Sequence, residues 1–171
     1  MSDNGVTLFG IPNAKSATEC TITRSRSYID VSRLVYAWHS TLPHSPAGFR
    51  VAFVVYAPNY APVAAAMWGR PTARMEDQTN TLELTRLAHS PYAPYNLGSW
   101  ALARMREWIR HNMPEIERLI TYHDATVHHG TIYAADNWRQ VYDKRGESTW
   151  SNRPGRLRTE RLHKGKWERE P

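Results

Sequence analysis

A single cysteine, Cys20, in 171 residues rules out an internal disulfide and any zinc site built on thiolates, so a bound metal would fall to His and carboxylates. No run of about 20 apolar residues is present, as a membrane-spanning helix would require. The longest apolar region, Val51 to Trp68, is broken by Pro58, Asn59 and Pro62, so a soluble chain is expected. Met1 to Gly5 offers neither the basic start nor the apolar stretch of a secretory signal, and export is not expected. Internal repeats are missing too. With 41% hydrophobic residues, the length suits one substantial core rather than two.

What is abundant is basic charge and aromatic surface. The net charge is +6, and from Lys144 onward nine Lys and Arg residues face four Glu, so nearly all the excess sits at the C-terminal end. Such a concentration suits phosphate neutralisation on nucleic acid, although it also serves solubility alone. Residues 148–171, charged and poor in apolar groups, read as a weakly ordered basic arm following a domain of residues 1–147. Seven Trp and nine Tyr exceed the needs of one core, and Trp68, Tyr92 and Tyr95 are candidates to stack on an extruded base.

Periodicity supplies the elements. Tyr28, Val31, Leu34, Val35, Trp38 and Leu42 fall at helical spacing behind a Ser27 cap, and Pro43 ends the pattern. Phe49–Ala57 and the run ending at Trp68 form an expected hairpin, and Asn80–Ala88 a third strand. After a proline-bearing loop, Asn96 can cap a helix whose Leu97, Ala101, Met105, Trp108 and Ile109 share a face. A strand from Arg118 to Tyr122, a short helix from His129 to Asp136 and a strand from Trp138 to Tyr142 complete the order. The fold class is therefore α/β, a mixed central sheet flanked by helices. In such sheets ligands sit beyond the carboxyl ends of strands, which directs attention to residues 88–99 and 122–133.

Several residue types there can carry chemistry. Ser99, in the first turn of its helix, can meet an anion or a developing oxyanion, or can simply make a local cap bond. His39 at a helix end and Asp124 at a strand end can serve proton transfer from an amine if they converge. Arg86 can pair with Glu83 or present its fork to a phosphate or carboxylate. His123, Asp124, His128 and His129 form a loose set of metal-ligand types that matches no standard spacing.

Taken together, Trp68-Gly69-Arg70-Pro71, Glu83-Leu84-Thr85-Arg86-Leu87, Asn96-Leu97-Gly98-Ser99, Leu119-Ile120-Thr121-Tyr122-His123-Asp124 and His129-Gly130-Thr131-Ile132-Tyr133-Ala134-Ala135-Asp136-Asn137-Trp138 resemble the Mom family of phage DNA-modification proteins. The resemblance implies an acetyltransferase-like (GNAT) fold and conversion of adenine N6 in duplex DNA to a carbamoylmethyl-type derivative that shields sites from restriction. It places His39, Arg86, Ser99, Asp124 and Tyr133 at the active site, although Ser40 follows His39 where the family more often has an aromatic. The turn Asn96-Leu97-Gly98 would hold a cofactor, and Trp68, Arg70, Tyr92, Tyr95, Arg153, Arg156, Arg158 and Lys164 would meet double-stranded DNA. A cytoplasmic location in a bacterial host follows, with no membrane partner. The donor stays open, because a single glycine in that turn is a poor match to the Gly-rich pyrophosphate loop of acetyl-CoA enzymes. Two other classes remain: an ordinary N-acetyltransferase for a small amine or protein, and a non-catalytic DNA-binding protein.

Overall fold

The computed structural model describes residues 10–39, 44–145 and 163–171. A short 3-10 turn, Ala17–Glu19, leads into β1 (Thr21–Ser25), then α1 (Tyr28–Trp38), β2 (Val51–Tyr56), β3 (Pro62–Gly69) and β4 (Thr81–His89). There follow α2 (Leu97–Asn112), β5 (Arg118–Asp124), α3 (Thr131–Ala135), β6 (Arg139–Arg145) and β7 (His163–Arg169). Seven strands form one mixed sheet in the order β1-β2-β3-β4-β5-β7-β6. Strands β1 to β4 are an antiparallel meander, and α2 is the crossover that makes β5 parallel to β4.

β3 is buried along its whole length, because helices cover both faces of the sheet there. On one face Ala64, Ala66 and Trp68 pack with Leu97, Ala101, Leu102, Met105 and Ile109 of α2. On the other, Ala65 and Met67 meet Val31, Leu34 and Val35 of α1. Each large aliphatic side chain sealed in this way contributes about 1.5–3 kcal/mol. Ser27 caps α1 by accepting from the Asp30 amide at 3.2 Å, as its sequence position suggests. Asn96 does occupy the cap position of α2, but in the left-handed region and without a side-chain cap bond. A buried fork from Arg106 Nε and Nη2 to Asp136, both at 2.8 Å, ties α2 to the end of α3, and Trp138 Nε1 donates to the same carboxylate.

Two local irregularities open the site. Trp68 pairs with Leu84 and Met67 with Arg86, so Thr85 is an extra residue with no partner on β3, a β-bulge that bends β4. Its hydroxyl instead donates to the Met67 carbonyl at 3.0 Å. The parallel ladder with β5 runs from Thr81↔Arg118 to Leu84↔Thr121 and ends there, although β4 continues to His89 and β5 to Asp124. The two strands part beyond that point.

The C-terminal segment corrects an expectation. Residues 163–169, read from sequence as part of a loose basic arm, are strand β7, hydrogen-bonded to β5 on one side and β6 on the other. Trp167 is 6% exposed, and its ring packs against Tyr133 and His123 with centroids 5.8 and 6.1 Å away. Gly130, at φ +69°, makes room for it, since a Cβ there would lie 2.5 Å from Trp167 Cζ2. Lys166, also buried, hydrogen-bonds to Glu76, which accepts a further bond from Arg118 at 2.6 Å. Burial raises the Glu76 carboxyl, but the bonds and charges of Lys166 and Arg118 outweigh it and hold the group below the usual carboxylate range. Arg153, Arg156 and Arg158 lie outside the described residues.

Because β7 fills the gap between β5 and β6, Trp167→Ala is expected to cost about 3–5 kcal/mol in urea denaturation. Removing residues 163–171 should abolish cooperative unfolding altogether. A truncated chain with wild-type stability would show that β7 is dispensable to the sheet.

Candidate functional site

The parting of β4 and β5 creates a cleft of about 690 Å³. Thr85 to His89 form one wall, and Thr121 to Asp124 the other. Its deep end is closed by a polar contact chain. Thr121 Oγ1 donates to the Leu84 carbonyl at 3.1 Å and lies 3.5 Å from the Tyr133 hydroxyl. Tyr133 is 8% exposed, and burial pushes its hydroxyl above the ordinary tyrosine range. It thus faces the vertex of the cleft as a neutral phenol held by Trp167 and Trp138.

Several expected residues converge here. His39 sits where α1 ends and lines the cleft with Arg86, Asp124, His128 and Lys164. Burial, then the nearby charge of Arg86, His128 and His89, pushes the His39 imidazole down to about 4, so it is neutral at pH 7. Asp124 accepts from the Thr126 hydroxyl at 2.6 Å and from its amide at 2.9 Å, and these bonds hold its carboxyl below the ordinary range. It is an anion at the cleft mouth, with Lys164 opposite it across the β5–β7 ladder.

Arg86 bonds to backbone carbonyls and not to Glu83. Its Nε and Nη2 donate to the His44 carbonyl at 3.1 and 2.9 Å, and Nη1 donates to the Thr85 carbonyl at 2.6 Å. The guanidinium ties His44 to the bulge, and Arg86 still lines the cleft. Glu83 is not its hydrogen-bonding partner; that carboxylate accepts from the Thr72 amide at 2.6 Å and from the Thr72 hydroxyl. Burial raises the Glu83 carboxyl above its usual range at the floor of the cleft.

Other expected residues fall elsewhere. Trp68, taken as a stacking residue, is fully buried and donates to Met105 Sδ, because its place on β3 faces α2. Ser99 does not line the cleft; its hydroxyl donates to the Asn96 carbonyl at 3.2 Å, a local helix bond. Asn96, Leu97 and Gly98 do not line it either. A Cβ on Gly98 would lie 2.8 Å from Ile132 Cγ2 and 3.1 Å from His89 Cε1, so α3 and β4 close against the first turn of α2. Tyr92 and Tyr95 are exposed in the β4–α2 loop, as is Arg70 after β3.

The metal-ligand set does not assemble. His123 Nδ1 accepts from Trp167 Nε1 at 3.0 Å, and the ring also bonds to the Gly165 backbone, so its nitrogens serve the sheet. Gly165 is required there, because a Cβ would meet His123 Cε1 at 2.1 Å. Among the described residues no three His, Cys, Asp or Glu side chains are placed to hold a metal ion. His89, unremarked in the sequence, lines the cleft, and its Nε2 is out of reach of solvent with no partner among the described residues. Its only sequence signal was a histidine closing an apolar strand.

Comparison with known proteins fits this geometry. The family profile described as the Mom protein family matches residues 53–170. No curated protein sequence matches the chain. Among solved structures, spermidine N-acetyltransferase from Vibrio cholerae, in complex with CoA and spermine, superposes with TM-score 0.61 at 7% identity, covering 90% of this chain and 96% of that one. The C-terminal condensation domain of Ebony, in complex with beta-alanyl-dopamine, gives 0.58 at 10% identity, with 89% and 99% covered. Aminoglycoside N(6')acetyltransferase from Legionella pneumophila gives 0.53 at 10% identity, with 89% and 92% covered. The chain therefore has the GNAT acetyltransferase fold. No described helix is long and apolar enough to cross a membrane.

The depressed His39 has a consequence for stability. Below pH 6.5 the unfolded chain takes up a proton that the folded chain refuses until about pH 4, so stability contributed at neutral pH is lost as pH falls through that window. Urea midpoints measured from pH 7 to 4 should decline, and less steeply in His39→Gln. Identical slopes in the two proteins would remove His39 as a half-buried neutral imidazole.

Proposed function

We propose that this chain, which belongs to the Mom protein family, modifies adenine N6 in duplex DNA with a carbamoylmethyl-type group. The observation that carries the reading is the cleft between β4 and β5, where His39, Asp124, His128 and Lys164 gather in a member of that family. Adenine N6 is a weak nucleophile, its lone pair delocalised into the ring, and inside a duplex it is stacked and paired. The base must leave the helix, at a cost of a few kcal/mol offset by stacking and phosphate contacts. Exposed Tyr92 and Tyr95 offer stacking surfaces, and Lys164 offers a cation at the mouth.

In the transfer step, N6 attacks the carbon of the donor. The N6–C bond forms, the bond from that carbon to its leaving group breaks with its electron pair, and N6 gives up a proton. The neutral imidazole of His39 accepts that proton as attack proceeds. A DNA phosphate at the cleft mouth would raise the His39 pKa from about 4 toward the working range, coupling basicity to substrate binding. Asp124 stabilises positive charge as it develops, and Arg86 holds His44 against β4.

A coenzyme A donor fits this arrangement poorly. Its diphosphate would need the first turn of α2, yet Gly98 is sealed against Ile132 and His89 and no residue of that turn reaches the cleft. The reading therefore assigns no step to coenzyme A.

Mass spectrometry of nucleosides from cells expressing the protein should reveal a mass-shifted deoxyadenosine. His39→Ala should lower its yield by at least about 100-fold, while Ser99→Ala, outside the cleft, should leave most of it. Unmodified deoxyadenosine despite abundant folded protein would refute the assignment, and loss of product in Ser99→Ala alone would relocate the site to α2.

A further inference from the structure

The outer face of α1 has no part in the site described so far. Ile29, Arg33 and Tyr36 lie within about 60° of one another around the helix axis at 100° per residue. Ile29 is 62% exposed, Tyr36 66% exposed, and Arg33 is exposed between them. Their opposite face, Val31, Leu34 and Val35, is sealed against the sheet, so the outer stripe cannot turn inward. Arg26 is exposed just before the Ser27 cap, at the same end of the helix as Ile29. Neither arginine forms an ion pair among the described residues, and Asp30 is the one acid within α1. Ile29 and Tyr36 are thus exposed beside two cations that have no ion-pair partner among the described residues.

The stripe also leads somewhere. α1 ends at Trp38, and the next residue, His39, lines the cleft. Tyr36 is set by a tilted contact with His44, whose carbonyl receives the Arg86 fork. From Ile29 to Tyr36 the helix advances about 10 Å, roughly the rise of three base pairs.

We infer that the outer face of α1 docks on duplex DNA, with Arg26 and Arg33 on backbone phosphates and Ile29 and Tyr36 on the sugar and base edges beside them, delivering the neighbouring nucleotide to His39. The inference rests on the reading of the cleft as a DNA-modifying site. Charge complementarity selects the partner: an anionic polymer matches paired arginines at this spacing, and apolar contacts between them suit a groove rather than bulk solvent. The phosphate contacts position the helix independently of sequence.

The test uses the full chain and a fluorescent duplex of mixed sequence, with affinity read by anisotropy across salt concentrations. In Arg26→Gln/Arg33→Gln the magnitude of the log–log salt slope should fall by about 1.8, at 0.9 for each lost phosphate contact. The charge-matched pair Arg104→Gln/Arg110→Gln, on the exposed face of α2, should leave the slope unchanged. Tyr36→Ala should weaken binding without altering the slope. Thermal unfolding of each variant, expected within a few degrees of wild type, separates lost contacts from lost fold, and Arg33→Lys should restore most of the slope of Arg33→Gln. Equal losses in both arginine pairs, or no loss in the α1 pair, would overturn the docking face while leaving the cleft reading intact. A wild-type chain that binds no duplex at all would overturn both.

Discussion

The bulge at Thr85 and the end of the β4–β5 ladder at Leu84↔Thr121 are the constraint on which the remaining architecture depends. Two parallel strands that parted without compensation would leave backbone donors and acceptors unpaired in the middle of a sheet. The chain compensates at each level. Thr85 and Thr121 spend their hydroxyls on carbonyls beside the gap, and Tyr133 seals the vertex. On its other edge β5 stays paired with β7 from Leu119 to Asp124, so it is held in the sheet beyond the gap while the edge toward β4 faces the cleft. The opening is thus a built feature of a rigid sheet.

β7 has a second task besides pairing. Trp167 fits between His123, Gly130 and Tyr133, so the last strand of the chain fixes the ring at the cleft vertex and the start of α3. The glycines at 130 and 165 follow from that packing, one to receive the indole and one to receive the imidazole. His123 consequently belongs to the scaffold, while Asp124, one residue further and past the buried edge, belongs to the mouth. The alternation of a strand is enough to separate the two roles.

What could be read from sequence followed periodicity. α1, the β2–β3 hairpin, β4, α2 and β5 each carry a repeating apolar face, and each is present within a few residues of its expected bounds. β1, Thr-Ile-Thr-Arg-Ser, has one apolar residue and pairs at an edge, so no alternation announces it. β7, His-Lys-Gly-Lys-Trp-Glu-Arg, reads as a solvated charge run because the partner that lets Lys166 be buried, Glu76, lies 90 residues away. The site was legible where residues end elements, as with His39 and Asp124. It was illegible where tertiary packing decides: Trp68 is drawn into the core by β3, Ser99 is turned onto its own helix, and His89 is pressed against Gly98. The family resemblance supplied a reaction that residue spacing alone does not.

The proposed function joins the cleft between β4 and β5 to the outer face of α1, which ends beside it at His39. Its central claim is that the target adenine leaves the duplex and enters between β4 and β5. The direct measurement is fluorescence of 2-aminopurine placed at single adenine positions in duplexes with randomised flanks, titrated with wild-type protein. Stacking quenches this base, so the account predicts a several-fold rise on binding for a subset of flanks, lost when Thr121→Trp fills the vertex. Binding with the base still quenched in every flank, or an undiminished rise in the filled variant, would contradict it.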